Sequence, residues 1–192
     1  MSLARAEELC ALLRGDAWRM AALEAVRDLR LPDCWIGAGF IRSFVWDRLS
    51  GFETSIPEDV DVVYYDPRHT SEDSEKAHDA MLAARRPGVP WSCKNQARMH
   101  LKAGLAAPYA DAADGLRHWT ETATAVAARM DDSGRLHILA PFGLEDLFTM
   151  TVRPTPFFRA GRMAQYRARL HAKGWQRRWT GLKFVDGEAA AD

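Results

Sequence analysis

The stretch that most constrains this chain is residues 34–66, CWIGAGFIRSFVWDRLSGFETSIPEDVDVVYYD. Cys34, Trp35 and Ile36 form a short apolar run suited to a buried strand, and Gly37-Ala38-Gly39 closes it with a tight turn. From Phe40 the period changes: Ile41, Phe44, Val45 and Leu49 recur at helical spacing and predict a stripe that packs on a sheet. A loop holding Gly51 and Pro57 follows, and then a β-prone segment from Asp59 to Tyr65. The order is therefore strand, glycine turn, helix, loop and strand, the combination of an α/β domain.

Two chemical features sit on that frame. Side chains alternate along a strand, so Asp59 and Asp61 are expected on one face, about 6.6–7 Å apart at Cα. Two like charges held together are costly, and a divalent cation relieves the repulsion; carboxylate oxygens suit magnesium or manganese. The glycine turn supplies the other half. Gly37 and Gly39 let the backbone approach a ligand, and the helix that follows starts with unpaired N–H groups and a positive dipole end. Arg42, in its first turn, adds a charged donor. An anion cradle beside a carboxylate pair is equipment for a nucleoside triphosphate with its metal. A dinucleotide-binding unit would also start Gly37-x-Gly39, but its third glycine is here Arg42, and its single ribose-binding acid is here a pair. A blander possibility is that the two aspartates only blunt an exposed strand edge.

GAGFIRSFVWDRLSGF followed by EDVDVVYY resembles the nucleotidyltransferase superfamily that includes DNA polymerase beta and the tRNA CCA-adding enzymes. Those proteins carry a Gly-Gly or Gly-Ser turn, a helix, and two acids separated by one apolar residue. The CCA-adding form is similar to Gly39 through Arg42. The later blocks CKNQARMH, WTETATAV and APFGLEDLF resemble a bacterial nucleotidyltransferase-like family, so that the likeness runs over about residues 8–182. It implies a minimal nucleotidyltransferase fold, α/β (α+β), with a mixed β-sheet flanked by helices. It implies transfer of a nucleoside monophosphate from NTP to an acceptor hydroxyl with release of pyrophosphate, Asp59 and Asp61 holding the metal. Active members usually have a third carboxylate on a neighbouring strand. The segment Trp91 to Met99, read as that strand, has none; Glu121 is the candidate, with Asp66 behind it and Ser92 a poor substitute. That departure raises the alternative of a catalytically inactive nucleotide- or RNA-binding protein on the same fold. A structural partner protein that docks through its basic end is a third class.

The rest of the chain frames this centre. Length and an ordinary apolar content of 47% suit one domain over 1–185: N-terminal helices to residue 30, a core over 34–150, a basic segment over 151–185, and a disordered tail over 186–192. Asp16 is placed to cap the second of the early helices. Ser71 to Glu75 opens a helix that runs to about Arg86, and Asp131-Asp132-Ser133-Gly134 joins strands over 121–130 and 135–140. In the expected strand 91–99, Lys94, Gln96 and Arg98 share a face, and Lys94 and Arg98 are candidates to neutralise phosphate charge. No acid occurs between Leu147 and Val185, where Arg153 through Lys183 accumulate. That block either tracks phosphates or pairs with the acids at 53–79, and Trp179, Leu182 and Phe184 are expected to anchor it. Three scattered cysteines fit neither a disulfide framework nor a zinc site. The absence of a signal-like segment or apolar span points to the cytoplasm, with no membrane partner. The acceptor, whether protein, RNA or small molecule, stays open.

Overall fold

The computed structural model describes residues 2–186. The N-terminal helices α1 (Leu3–Arg14) and α2 (Ala17–Arg27) lead into β1 (Trp35–Gly37), α3 (Gly39–Leu49) and β2 (Val60–Tyr64). Next come α4 (Glu72–Arg85), β3 (Trp91–Asn95), α5 (Gln96–Lys102) and α6 (Ala112–Arg117). The hairpin β4 (Ala127–Met130) and β5 (Leu136–Leu139) is followed by the single turn α7 (Glu145–Phe148) and by β6 (Thr151–Val152). The basic segment forms α8 (Pro156–Arg159), α9 (Met163–Lys173), a 3-10 turn at Trp175–Arg177 and β7 (Lys183–Phe184). The expected tail falls, apart from Asp186, outside the described residues. No described helix is long and apolar enough to cross a membrane.

Five strands make a mixed sheet in the order β3-β2-β1-β4-β5, and β6 and β7 form a separate ribbon. Only β2 and β3 run parallel in the main sheet; β1 pairs antiparallel with both β2 and β4. Register then sorts the chemistry. Ile36 lies opposite Val62 and Ala128, and these point into the main core with Val60, Tyr64 and Cys93, under α1 to α4. One residue along, Trp35, Val63 and Ala127 form a smaller core on the other face with Ala112 and Leu116 of α6. Asp61 and Lys94 lie on this second face, opposite Ser92 and Val63 respectively. A fully buried sheet face and a partly open one leave room for a cleft on the open side.

The expected stripe on α3 is an understatement. Every residue from Gly39 to Asp47 is buried, polar ones included, and Leu49 at the end is 46% exposed. The C-terminal segment accounts for the second covered face. Trp175 and Trp179 meet the fully buried Trp46 edge-on, at 5.5 and 5.3 Å between ring centres. Phe184, expected as an anchor, is 42% exposed; Trp175 takes its place in the core. Asp47, also on α3, accepts from the Ser55 amide and hydroxyl and from Trp179 Nε1 and Arg178 Nε. Burial pushes its carboxyl up, but these four donors together outweigh that and hold it below the ordinary value.

Two strand assignments need correction. The strand expected over 91–99 ends at Asn95, because Asn95 caps a helix: its side-chain oxygen accepts from the Ala97 amide at 3.1 Å and the Asp66 amide at 3.0 Å. The strand expected from Glu121 begins only at Ala127. Residues 121–126 instead form a compact turn, with Ala125 N donating to the Glu121 carbonyl and Thr122 N to that of Arg153.

Candidate active site

The glycine turn is built differently from the expectation. Neither flanking glycine holds a positive φ in this turn; Ala38 does, at φ 52° and ψ −125°, a conformation that normally calls for glycine. Gly37 is needed for packing. A Cβ there would lie 2.9 Å from the Trp119 ring and 3.0 Å from the Val126 carbonyl. Gly39 is open, with its nearest neighbours at ordinary contact distance, and it starts α3, so its amide and that of Phe40 have no acceptor within the helix. Strain at Ala38 thus aims a helix N-terminus at a space that a Gly39 backbone can line.

That space is a cleft of about 690 Å³, within the usual range for a small-molecule site of roughly 300–1,000 Å³. Ala38, Gly39, Arg42, Asp59, Asp61 and Lys94 all line it, so the turn, both aspartates and two of the candidate cations converge. Asp59 is exposed and sits just before β2, while Asp61 is half-buried within the strand. Burial first, then the charge of Asp59, pushes the Asp61 carboxyl up to about 6; Arg42 and Arg169 pull the other way without cancelling it.

Arg42 is 6% exposed and set by α3 itself. Its guanidinium lies 4.1 Å over the Trp175 ring and donates to Thr124 Oγ1 at 3.0 Å, while its Nε has no hydrogen-bond partner among the described residues. Burial lowers its pKa to about 10, which leaves it cationic at neutral pH. A buried, incompletely paired cation at the floor of a cleft suits an anionic ligand.

Glu121 and Arg98, by contrast, are not among the residues that line the cleft. Glu121 is fully buried; one carboxylate oxygen accepts from Arg169 Nε at 2.8 Å and the other has no partner among the described residues. Its negative charge sits beneath Arg42 and Arg169 and helps keep Arg42 protonated. Arg98 lies on α5, where it pairs with Glu72 and Glu75. Asp66 is engaged by Arg68 and His69 near the Asn95 cap. Among the described residues no group of three or more His, Cys, Asp or Glu side chains is placed to share a metal ion, so nothing joins Asp59 and Asp61 as a third ligand.

The cleft also draws on the basic segment and on rings that local pattern did not single out. Lys102, Arg162, Arg169 and Lys173 line it, and so do Tyr109, His118, Trp119 and Phe157. The basic segment divides its charge: Arg169 and Lys173 face the cleft, while Arg178 pairs with Asp47, Arg153 with Asp146 and Arg167 with Asp186. The acids at 53–79 are not its partners in any described ion pair; Glu75 and Asp66, for instance, pair with Arg98 and Arg68.

Comparison with known proteins agrees with this architecture. A family profile described as nucleotidyltransferase matches residues 24–184. A solution structure described as revealing a CCA-adding enzyme head domain is 34% identical, with a TM-score of 0.83 over 93% of this chain and 95% of that one. The Thermotoga maritima CCA-adding enzyme complexed with tRNA is 14% identical, with a TM-score of 0.58. A CCA-adding enzyme in complex with CTP is 15% identical, with a TM-score of 0.57. These two share the fold over 94% and 91% of the present chain, which spans 42% of the length of each. No curated protein sequence matches the chain at a significant level.

Proposed function

Since the chain belongs to the nucleotidyltransferase family, we propose that its cleft binds a nucleoside triphosphate and transfers the nucleoside monophosphate to an acceptor hydroxyl. The observation that carries this reading is convergence. The Gly39 turn, buried Arg42 and the Asp59–Asp61 pair, separate in sequence, line one cleft. In the reaction the acceptor hydroxyl gives up its proton to solvent as its oxygen forms a bond to the α-phosphorus, the bond from that phosphorus to the bridging oxygen breaks, and pyrophosphate leaves. The amides at the start of α3 and the Arg42 guanidinium bind the phosphate oxygens, with Lys94 and Arg169 as further cations at the cleft wall.

Asp59 and Asp61 fit a hard divalent cation by donor type and by the repulsion already evident in the raised Asp61. Two carboxylates leave the remaining positions to water and phosphate oxygens, as magnesium prefers. Such an ion, bound there, would acidify the acceptor hydroxyl and offset charge on the leaving pyrophosphate. Of the two strand cations expected from sequence, Lys94 lines the cleft, with its ammonium also 3.8 Å from Glu75, whereas Arg98 pairs with Glu72 and Glu75 of α4.

A second reading rests on Glu121. With that carboxylate committed to Arg169, the acids that line the cleft among the described residues are Asp59 and Asp61, which favours a nucleotide-binding protein without turnover. One experiment separates the two. The four NTPs are offered with magnesium or manganese, and thermal stabilisation and pyrophosphate release are measured together. Stabilisation with release, both lost in Asp61→Ala, supports the transferase; stabilisation alone supports the binder. Neither response in the parent protein would sink both.

A further inference from the structure

Two chemically different groups of residues line the cleft. One is the acid pair with Arg42 and the start of α3; the other is a wall of rings that the phosphate chemistry does not use. We infer that this wall, made by His118, Trp119, Phe157 and Arg162 with the buried Tyr109 behind His118, is the subsite for the nucleobase and ribose of the bound nucleotide. It rests on the nucleotide reading above and extends it to the part of the ligand that differs among the four NTPs.

The rings form a continuous set. His118 stacks on Tyr109 at 4.5 Å between centres and 25° between planes, and it meets Phe157 edge-on at 4.6 Å. The Arg162 guanidinium lies 3.9 Å over the Phe157 ring and extends the surface with a planar cation. Trp119 adjoins the turn before α3, its ring abutting Gly37 so tightly that a Cβ there would collide. The wall is also stiff. His118 Nδ1 contacts the Asp114 carbonyl at 2.8 Å, Thr155 Oγ1 donates to the Trp119 carbonyl at 2.7 Å, and Tyr65 donates to the Tyr109 carbonyl at 2.7 Å.

A satellite core would look different. Core aromatics of this protein such as Phe40, Phe44 and Trp46 are shielded almost completely, whereas His118, Trp119, Phe157 and Arg162 are only half-buried and face the cleft. Planar, half-exposed groups held in place before binding suit a planar partner, since little ordering cost remains. Bases stack on aromatic rings and on arginine planes alike. Once the triphosphate is seated on α3 and Arg42, the remaining part of the ligand is planar and largely uncharged, and the ring wall is the complementary lining of the same cleft.

The test compares each NTP with inorganic tripolyphosphate by calorimetric titration in magnesium, using the parent, Phe157→Ala and Phe157→Leu. In the parent, at least one NTP should bind more tightly than tripolyphosphate. Loss of the ring should weaken that NTP by about tenfold and leave tripolyphosphate unchanged. Leucine preserves most of the packing volume, so a melting temperature equal to the parent's accompanies the same loss of affinity. Equal binding of NTPs and tripolyphosphate by the parent overturns the base subsite and leaves a triphosphate site standing. An unchanged ratio in both variants overturns it too. Failure of every polyphosphate to bind overturns the subsite together with the nucleotide reading.

Discussion

Asp61 gives the most direct access to the electrostatics of the cleft. Its carboxyl is pushed from 3.8 up to about 6, mainly by burial and secondarily by Asp59. The folded protein therefore holds this proton more tightly than the unfolded chain. Between pH 3.8 and 6 the unfolded state binds fewer protons, so the contribution of Asp61 to stability falls as pH rises through that window. A shift of this size corresponds to about 3 kcal/mol, and partial solvent access argues for roughly 1–3 kcal/mol in practice. Asp61→Asn keeps the shape and cannot ionise. With a chelator present, its melting temperature relative to the parent should rise between pH 4 and pH 7.5. For a domain of this size the rise amounts to roughly 2–12 °C, at about 2–4 °C per kcal/mol. Other carboxylates titrate in both proteins and cancel in the difference. Asp59→Asn in the parent should shrink the effect without abolishing it, because burial is the larger cause. If the difference between Asp61→Asn and parent is the same at both pH values, the buried, strained carboxylate is not there and the metal-site reasoning loses its physical basis.

Asp47 is fully buried among four donors, so Asp47→Asn should lose about 2–4 kcal/mol in denaturant unfolding; an unchanged midpoint would mean the C-terminal segment does not depend on it. Ala38→Gly should relieve the left-handed strain and raise stability by up to about 1 kcal/mol, whereas Gly37→Ala, with Trp119 and a carbonyl within 3.0 Å of the new Cβ, should lose about 1–3 kcal/mol; equal melts for the two variants would contradict both assignments. Arg98→Ala should lower stability through the Glu72 and Glu75 pairs and leave magnesium-dependent NTP binding unchanged, and a selective loss of affinity would return Arg98 to the site.

Periodicity and cap chemistry were enough to read the strand–turn–helix–strand centre and the Asp16 cap, and Asp59, Asp61, Gly39 and Arg42 line one cleft. These are short-range properties: alternation, helical spacing and the residues allowed in a turn act over a few positions, so the local order of residues records them. The end of β3 was locally ambiguous. Lys94, Gln96 and Arg98 alternate as a strand would, yet Gln96 to Lys102 are also sound helix formers. Asn95 decided it through side-chain bonds to Asp66 and to the His69 carbonyl. Its cap position before good helix formers was the one signal available in the sequence. The role of Glu121 had no local signal at all, because the Arg169 that meets it lies 48 residues away on another element. The same is true of the ring wall, assembled from α8 and the loops that flank α6 and α8. Which charges pair and which remain facing a cleft depends on packing between distant elements. Only the tertiary structure sets those distances, because the burial that makes a charge choose a partner does not exist until the elements meet.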